Sequence, residues 1–499
     1  MIPALSFDPA SGKEEILCLN GTTVAYRAFC DISYCQKPVD AIQTLNLFAP
    51  EVYYRGGAQN GYTLHTAPIF LPNTVGGYMP GPADRPGLDR FDHPNAIFEA
   101  LAHGYVVASV GVRGRTSGRR SNEFFEGGKL GAQGADTGRM VGRAPAMIVD
   151  LKAGIRYLRH NRAVIPGDTD KIITSGTSAG GALSALAGAA GNSADYAPYL
   201  AAIGAAEERD DIFAANCYCP IHNLEHADAA YEWMFAGQNC FHRTRHVTAT
   251  DGKLLREPYS GTMTAAQQTL SAELKTQFPA YVNSLGLRGP RGEALTLDAD
   301  GNGEFKSWVA HFVVEAARRE LETHDTANRL PWLAVPGSEV ECQTALTIDG
   351  EKAATLNWPA FVETVTRMKA APAFDAVDLS SPENEEFGTE TIFARHFTEF
   401  SRRHSTVQGT LAEPALIRRM NPITYIGQAD TARYWRIRHG THDRDTALAI
   451  PVILATLLEN RGYAVDFALP WGLPHSGDYD LPSLFAWIDG LCRQNRAAR

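Results

Sequence analysis

A serine lies between two glycines where a strand-like segment gives way to a helix-like one. Residues 176–180 read Gly-Thr-Ser-Ala-Gly, after a β-branched run at 172–174 and before a run of small residues. Such a turn raises the Ser178 hydroxyl above a sheet edge, and glycine is needed where other side chains would collide. The helix that follows directs free N–H groups, beginning with that of Ala179, toward a developing oxyanion. The pattern predicts that Ser178 is a nucleophile.

A nucleophilic serine needs a histidine base and an acid that orients the base. In a sheet of this kind the acid and then the histidine follow the serine, each after a later strand. Asp443 follows a strand predicted at 434–438, and Asp445 is its rival for the orienting role. His475 lies in a Gly/Pro-rich loop after a strand predicted at 465–469. We therefore predict a Ser178–His475–Asp443 triad.

An oxyanion hole needs a second N–H donor besides that of Ala179. It is expected in the loop after an early strand. The pair Gly76-Gly77 follows the strand predicted at 67–72, and we assign the donor to Gly77. The alternative is an ordinary glycine turn.

Strand and helix signals alternate at both ends of the chain. Strands are predicted at 67–72, 105–112, before Ser178, at 212–219, 434–438 and 465–469, and helices at 95–103, 144–160, 448–461 and 481–492. Strands separated by helices predict an α/β fold with a mostly parallel sheet. Helical and loop signals dominate between, with one helix near 305–324. We expect a discontinuous catalytic domain of residues 1–220 and 426–499 with an inserted cap of residues 221–425.

The composition is that of a globular protein. The 499 residues are 44% hydrophobic with a formal net charge of −10, and the two signs of charge are interspersed, which argues against a nucleic-acid partner. No apolar run approaches the roughly 20 residues of a membrane helix, and no signal peptide is visible, so we expect a cytoplasmic protein without membrane contact. The eight cysteines are expected to be mostly reduced. Cys217 and Cys219, two apart in a predicted strand, are expected to be core thiols.

Four stretches resemble the bacterial tannases, which are α/β-hydrolases that cleave galloyl esters. They are GTSAGGALSA around Ser178, YCPIHNLEHADAAYEW at 218–233, MKAAPAFDAVDLSSPENEEFG at 368–388, and GTHDRDTALAIP with FALPWGLPHSGDYD near the end. The first stretch occurs in many esterases, whereas the third and fourth discriminate much better. The likeness spans most of the chain and implies an α/β-hydrolase fold with a cap domain.

The resemblance also implies which residues bind the acyl group. In that family the triad matches Ser178, Asp443 and His475, and the galloyl hydroxyls are held by groups matching Lys369, Glu383 and Asp445. Apolar groups matching Ile221 and Pro382 grip the aromatic ring. Three adjacent phenols do need acceptors and a cation, and a flat ring needs apolar faces. The implied activity is hydrolysis of galloyl esters through a galloyl-enzyme, with no required cofactor and a small-molecule galloyl ester as the substrate. The sequence leaves the oligomeric state open.

Other functions use the same residues. A feruloyl or other carboxylic ester hydrolase has the same triad but no need for Lys369, Glu383 and Asp445, because a feruloyl group lacks three vicinal hydroxyls. A peptidase of the same fold needs a pocket for peptide ends that we do not locate. A catalytically inactive binding protein is disfavoured by the complete triad.

One acidic loop resembles the start of a calcium site. Asp298, Asp300 and Asn302 have the spacing of calcium ligands, but position twelve of such a loop is Val309 rather than a glutamate. We expect an acidic turn and assign no metal. Loss of thermal stability on chelation would reverse that expectation.

Overall fold

The computed structural model describes residues 5–118, 123–126, 129–132, 138–248, 254–323, 345–349 and 352–497. The strands are β1 (Lys13–Leu19), β2 (Thr22–Ser33), β3 (Thr44–Pro50), β4 (Pro68–Pro72), β5 (Val106–Val110), β6 (Glu123–Glu126), β7 (Lys129–Ala132), β8 (Asp168–Thr177), β9 (Ala214–Tyr218), β10 (Cys240–Thr248), β11 (Leu254–Thr262), β12 (Leu346–Asp349), β13 (Lys352–Leu356), β14 (Tyr434–Arg438) and β15 (Ala464–Ala468). The helices are α1 (Ala96–His103), α2 (Ala146–His160), α3 (Ala179–Ala189), α4 (Ala197–Ala202), α5 (Leu224–Phe235), α6 (Ala265–Ser284), α7 (Glu304–Thr323), α8 (Trp358–Val365), α9 (Pro382–Glu386), α10 (Glu399–Arg403), α11 (Pro414–Arg419), α12 (Ala449–Asn460) and α13 (Leu481–Ala497). None of these helices, as far as they are described, is both long and apolar enough to cross a bilayer.

Nine strands form one sheet in the order β1-β2-β3-β5-β4-β8-β9-β14-β15. The six strands from β5 to β15 in that order run parallel, whereas β1, β2 and β3 pair antiparallel at one edge. The predicted α/β fold with a mostly parallel sheet is confirmed. Because parallel strands end at the same edge, the loops after β4, β8, β9, β14 and β15 meet there.

The core lies on both faces of the parallel strands. All residues of β5 and β9 are buried, as continuous apolar strands of parallel sheets usually are. Every residue of α3 is buried too, and its small side chains let it approach the sheet closely. A Cβ added at Gly188 would lie only 2.8 Å from the Trp435 ring, so α3 packs against β14 at a distance that only glycine permits. This packing holds the end of β8, and with it Ser178, rigidly.

The predicted elements are present with ends shifted by a few residues. The helix predicted at 95–103 is α1, which Asn95 begins by accepting a hydrogen bond from Phe98 N at 3.0 Å and Gly104 ends with a φ of 98°. The expected alternation is wrong for the first fifty residues, where β1, β2 and β3 follow one another without helices. The pair Asn20-Gly21, both with positive φ, makes the tight turn that joins β1 to β2.

Between β9 and β14, no described residue belongs to a strand of the nine-stranded sheet. This part contains α5 to α11 and two hairpins, β10–β11 and β12–β13. The helix predicted at 305–324 is α7, and its last predicted residue lies outside the described residues. The placement of the sheet strands fits an insertion between residues 221 and 425, and those two domain boundaries stay a prediction.

Candidate active site

Ser178 lies at the sharp turn from β8 into α3. Its φ of 63° and ψ of −124° are strained for a residue other than glycine. Its N–H donates to Tyr218 O at 3.1 Å, and its carbonyl accepts from Ile221 N at 3.1 Å, so the turn is fixed over the end of β9. A Cβ at Gly180 would lie 2.7 Å from Val75 O, so glycine is required there. The local geometry is that of a nucleophile elbow.

The candidate base and its orienting acid are in direct contact. His475 Nδ1 lies 2.7 Å from Asp443 Oδ2 and 3.6 Å from Asp445 Oδ2, so Asp443 makes the hydrogen bond. Asp443 also accepts the N–H of Asp445 at 2.9 Å, which fixes its carboxylate. In the described part of the chain, Ser178 Oγ makes no hydrogen bond to His475, and such contacts commonly tighten only when substrate binds.

Neighbouring charges set the protonation of this pair. Burial opposes a charge on His475, but the negative charge of the Asp443 carboxylate, and after it that of Asp445, raises its pKa well above the ordinary value. Burial likewise opposes ionisation of Asp443, but His475 and His439 hold the pKa of that carboxyl below its ordinary value. Asp443 is therefore ionised at neutral pH, and His475 becomes a free base only as the pH rises.

Cys217 and Cys219 are both buried, as expected of core thiols, but Cys219 lies outside the predicted strand and beside the candidate base. Cys217 is buried within β9, which ends at Tyr218, and Cys219 lies beyond it with a φ of 35°. The sulfur of Cys219 is 4.0 Å from Nε2 of His475, beside the candidate base. Burial raises the pKa of the Cys219 thiol and keeps it neutral. The strand ended one residue earlier than predicted, so the strand periodicity did not apply to Cys219.

None of the seven described cysteines forms a disulfide bond: Cys18, Cys30, Cys35, Cys217, Cys219, Cys240 and Cys492. Cys342 lies outside the described residues. The part of the chain that the structure describes agrees with the expectation of reduced cysteines.

The candidate oxyanion donors are the N–H groups of Gly77 and Ala179. Ala179 is the first residue of α3, so its N–H has no acceptor within the helix. Gly76 O accepts from Met79 N at 3.0 Å, and the N–H of Gly77 points away from that turn because it lies on the opposite side of the same planar peptide. Gly77 has a φ of 55°, which suits glycine, and lines the same cleft as Ser178.

A cleft of about 1130 Å³ opens at the sheet edge beneath the inserted segment. Eight of the predicted site residues line it: Gly77, Ser178, Ala179, Ile221, Lys369, Pro382, Glu383 and Asp445. The other two, Asp443 and His475, adjoin it through Asp445. The structure thus brings all ten predicted site residues together, although they come from loops up to four hundred residues apart.

The charged groups in the cleft contact one another. Lys369 Nζ donates to Asp445 O at 2.7 Å and lies 3.5 Å from Asp445 Oδ1. Glu383 is the second residue of α9, whose start is capped by Ser381 Oγ accepting from Asn384 N at 3.1 Å. Burial raises the pKa of the Glu383 carboxyl, and the nearby Lys369 partly offsets this. One cation and two carboxylates therefore face a space that also holds the Ser178 hydroxyl.

Tyr231 is a positioning residue that the sequence patterns did not reveal. Its hydroxyl accepts the N–H groups of Met368 at 3.0 Å and Lys369 at 3.1 Å, and donates to Arg444 O at 3.0 Å. It therefore joins the loop that carries Lys369 to the loop that carries Asp445. Its sequence signals are its place on α5 and within the stretch 218–233 that resembles the tannases, and neither distinguishes it from a core tyrosine.

Tyr78 and Arg115 position the candidate oxyanion loop. The Tyr78 hydroxyl donates to Ile221 O at 2.6 Å. Arg115 Nε donates to Gly77 O at 2.9 Å, and its Nη1 pairs with Glu385 Oε2 at 2.5 Å. Arg115 thereby ties the loop to α9, the helix that presents Pro382 and Glu383. Neither residue lies in a motif that sequence reasoning could assign.

Two side-chain oxygens of the acidic loop already accept hydrogen bonds from within the protein. Asp298 Oδ1 accepts the N–H groups of Asp300 at 3.0 Å and Asn302 at 2.8 Å, and Asn302 Oδ1 accepts from Lys306 Nζ at 2.9 Å. A lysine ammonium stands beside the oxygens that would bind a cation. The expectation that no metal is bound stays a prediction.

Among the described residues, three side chains that could bind a metal lie close together: Cys219, Asp443 and His475 each have a potential ligand atom within 4.8 Å of those of the other two. The carboxylate faces Nδ1 of the imidazole and the thiol faces Nε2, so they do not converge on one centre. The arrangement suits proton transfer rather than metal binding.

Comparison with known proteins shows the family to which the chain belongs. The BD-FAE family model matches residues 139–217, which include Ser178, and no curated protein matches. The tannase of Lactobacillus plantarum is 47% identical with a TM-score of 0.88, over 98% of this chain and 100% of that one. The tannase of Fusobacterium nucleatum is 44% identical with a TM-score of 0.87, over 98% and 99%. A tannin acyl hydrolase in complex with ethyl gallate is 46% identical with a TM-score of 0.87, over 98% and 99%. Because nearly the whole chain is matched at this identity, it belongs to the tannase family of α/β-hydrolases and is a carboxylic ester hydrolase.

Proposed function

We propose that the protein hydrolyses galloyl esters of tannins and simple gallates through a Ser178–His475–Asp443 triad and a galloyl-enzyme. The observation that carries the proposal is the shared cleft. It holds the Ser178 hydroxyl together with Lys369, Glu383 and Asp445. Similarity to a tannin acyl hydrolase solved with ethyl gallate supports the same substrate class.

The acyl-transfer step follows from the arrangement of the triad. Ser178 Oγ attacks the ester carbonyl carbon while His475 Nε2 takes the hydroxyl proton. Asp443 stabilises the imidazolium that forms, through its 2.7 Å hydrogen bond. The N–H groups of Gly77 and Ala179 hold the oxyanion.

Collapse of this intermediate breaks the bond to the alcohol oxygen, which leaves with the proton from His475. The galloyl group is then bound to Ser178 Oγ as an ester. Water attacks that ester and gives a proton to His475, and the acid product leaves as Ser178 recovers its proton.

Acyl selectivity would come from the charged groups. The carboxylates of Glu383 and Asp445 accept hydrogen bonds from phenolic hydroxyls, Lys369 donates to a phenolic oxygen, and Ile221 and Pro382 contact the ring faces. A buried site built for hydroxyls rejects acyl groups that lack them, because its polar groups would then be desolvated without partners. No cofactor takes part in these steps.

The test compares initial rates on methyl gallate, methyl ferulate and methyl benzoate, with Ser178→Ala as the blank. We expect gallate to be cleaved at least 100-fold faster than either of the others, and all cleavage to vanish in the variant. Comparable rates on gallate and ferulate would favour the alternative, a feruloyl or general carboxylic ester hydrolase, and would refute the roles of Lys369, Glu383 and Asp445. Cleavage that persists in Ser178→Ala would refute the triad.

A further inference from the structure

The cleft is larger than one galloyl group requires. Its volume of about 1130 Å³ lies above the range of about 300–1,000 Å³ usual for small-molecule sites. Beyond the residues assigned to the galloyl group, its lining continues onto the β10–β11 hairpin and α6. This outer part belongs to the same cleft as Ser178. Because the residues assigned to the galloyl group account for the acyl portion of an ester, the outer part is left for its alcohol portion.

The hairpin presents an aromatic platform to the outer cleft. Phe241 pairs with Gly261 and Arg243 pairs with Tyr259, so all four share one face. The rings of Phe241 and Tyr259 have centroids 5.9 Å apart, and the Arg243 guanidinium lies 5.1 Å from the Tyr259 centroid. A Cβ at Gly261 would come within 2.5 Å of the Phe241 ring, so glycine lets that ring lie across the neighbouring strand.

Both rings are half-buried and line the cleft. An aromatic surface of this kind, flanked by a guanidinium, is suited to stacking against a flat π-system. The platform therefore has the chemistry of a binding surface for an aromatic ring.

Hydrogen-bonding groups also line the outer cleft. Glu273 on α6 lies 3.5 Å from His404, through Oε2 and Nε2, and the Glu273 side chain is 49% exposed. Asp378 lines the same region. Carboxylates accept hydrogen bonds from phenolic hydroxyls. Acceptors beside an aromatic platform favour a hydroxylated aromatic ring over a plain sugar or alkyl group.

We propose that Phe241, Tyr259 and Arg243 form an outer subsite for a second polyhydroxylated aromatic ring, carried by the alcohol portion of the ester. This inference rests on the proposed function and names its preferred substrates. They are esters with two or more galloyl rings, in which one ring occupies the acyl site and another stacks on the hairpin. Single-ring esters such as methyl gallate use the acyl site alone.

The test measures kcat/KM of the full chain and of Phe241→Ala and Tyr259→Ala on two substrates. One is methyl gallate, and the other is methyl digallate, in which a second galloyl ring lies on the leaving group. The two esters differ in intrinsic reactivity, so the ratio of variant to wild type is compared within each substrate. We expect each variant to lose about tenfold on methyl digallate, mainly through KM, and less than twofold on methyl gallate.

Two further variants act as controls. Phe241→Tyr keeps the aromatic ring and is expected to have wild-type kcat/KM on methyl digallate. Phe91→Ala removes a phenylalanine that is 58% exposed outside the cleft and is expected to leave kcat/KM unchanged on both substrates. Thermal melting shows whether each variant is folded. Equal losses on both substrates, or no loss on either, would overturn the subsite while leaving the galloyl-ester activity intact. A wild-type chain that cleaves neither substrate would overturn the proposed function as well.

Discussion

The carboxylate of Asp445 lies close enough to His475 to set the pH at which the base becomes free. Its Oδ2 is 3.6 Å from His475 Nδ1, although Asp443 makes the hydrogen bond. A negative charge there stabilises the imidazolium and raises its pKa. Replacing Asp445 with asparagine removes the charge and keeps the size, so the pKa of His475 should fall.

The size of this effect follows from the distance. Two unit charges 3.6 Å apart interact by about 1 kcal/mol at the dielectric constant of water. We use that limit because Asp445 is 26% exposed and is paired with Lys369. A free energy of about 1 kcal/mol corresponds to about 0.7 pKa unit. We therefore expect the acid limb of the activity profile to move by about 0.7 unit to lower pH in Asp445→Asn.

The assay must separate the base from substrate binding, because Asp445 is also a proposed ligand of the galloyl hydroxyls. The rate of inactivation by a fluorophosphonate, measured against pH, reports the free base without a galloyl group. The acid limb of kcat/KM on methyl gallate should shift in parallel. Glu273→Gln, which removes a carboxylate from the outer part of the same cleft, is the matched control and should leave the limb in place. An unchanged limb, or one that moves to higher pH in Asp445→Asn, would refute the electrostatic reasoning.

Three further substitutions test the acyl pocket, the nucleophile turn and the fold. Glu383→Gln weakens an acceptor for a phenolic hydroxyl, so kcat/KM on methyl gallate should fall about 10- to 100-fold while the slow cleavage of methyl benzoate stays unchanged. Gly180→Ala places a Cβ 2.7 Å from Val75 O, so thermal melting should show a loss of about 1–3 kcal/mol together with loss of turnover. Asp489→Asn weakens the hydrogen bond from Tyr105, 2.7 Å away, and should cost about 2 kcal/mol of unfolding free energy in urea at neutral pH.

The last of these substitutions carries a pH dependence whose sign is fixed. Burial opposes ionisation of Asp489, but hydrogen bonds from His103, Tyr62 and Tyr105 hold its pKa well below the ordinary value. A depressed pKa contributes stability that is present above the unfolded value of about 4 and is lost as the pH falls below it. The difference between wild type and variant should therefore shrink in acid, and a difference that grows there would contradict the assignment. For Glu383→Gln, an equal fall of kcat/KM on methyl benzoate and methyl gallate would contradict the proposed role. For Gly180→Ala, a variant that is active and as stable as the wild type would contradict the argument from the turn.

The catalytic half of the site could be predicted because its residues follow strands. The strands of a parallel sheet can be recognised in a sequence as continuous apolar runs. The sheet brings the carboxyl ends of these strands together, whatever the length of chain between them. Ser178, Asp443 and His475 were placed by that rule. It did not show that Cys219 borders the base, because β9 ends one residue before it. Hydrophobic pattern does not set strand ends to that accuracy.

The site residues that lie in the inserted segment could not be predicted in the same way. Lys369 and Glu383 lie in a region of short helices and loops, and their neighbours are set by contacts distant in sequence. Tyr231 fixes the loop that carries Lys369, and Asp228 accepts the N–H groups of Phe374 at 2.8 Å and Asp375 at 3.0 Å. No periodicity encodes such side-chain-to-backbone bonds. Lys369 and Glu383 were therefore identified only through the resemblance to a family.

Arg115 shows why the two halves should not be treated as independent modules. Its guanidinium holds the carbonyl of Gly77 on one side and the carboxylate of Glu385 on the other, and its side chain is 15% exposed. Glu385 lies on α9, two residues after Glu383, so a displacement of the helix proposed to recognise the acyl group would pull on the loop proposed to stabilise the oxyanion. Hydrogen-bond geometry is steep in distance and angle. If Glu383 and Gly77 have the proposed roles, Arg115 links binding of the acyl group to alignment of the oxyanion donor, and hydroxyl recognition would then raise turnover as well as affinity.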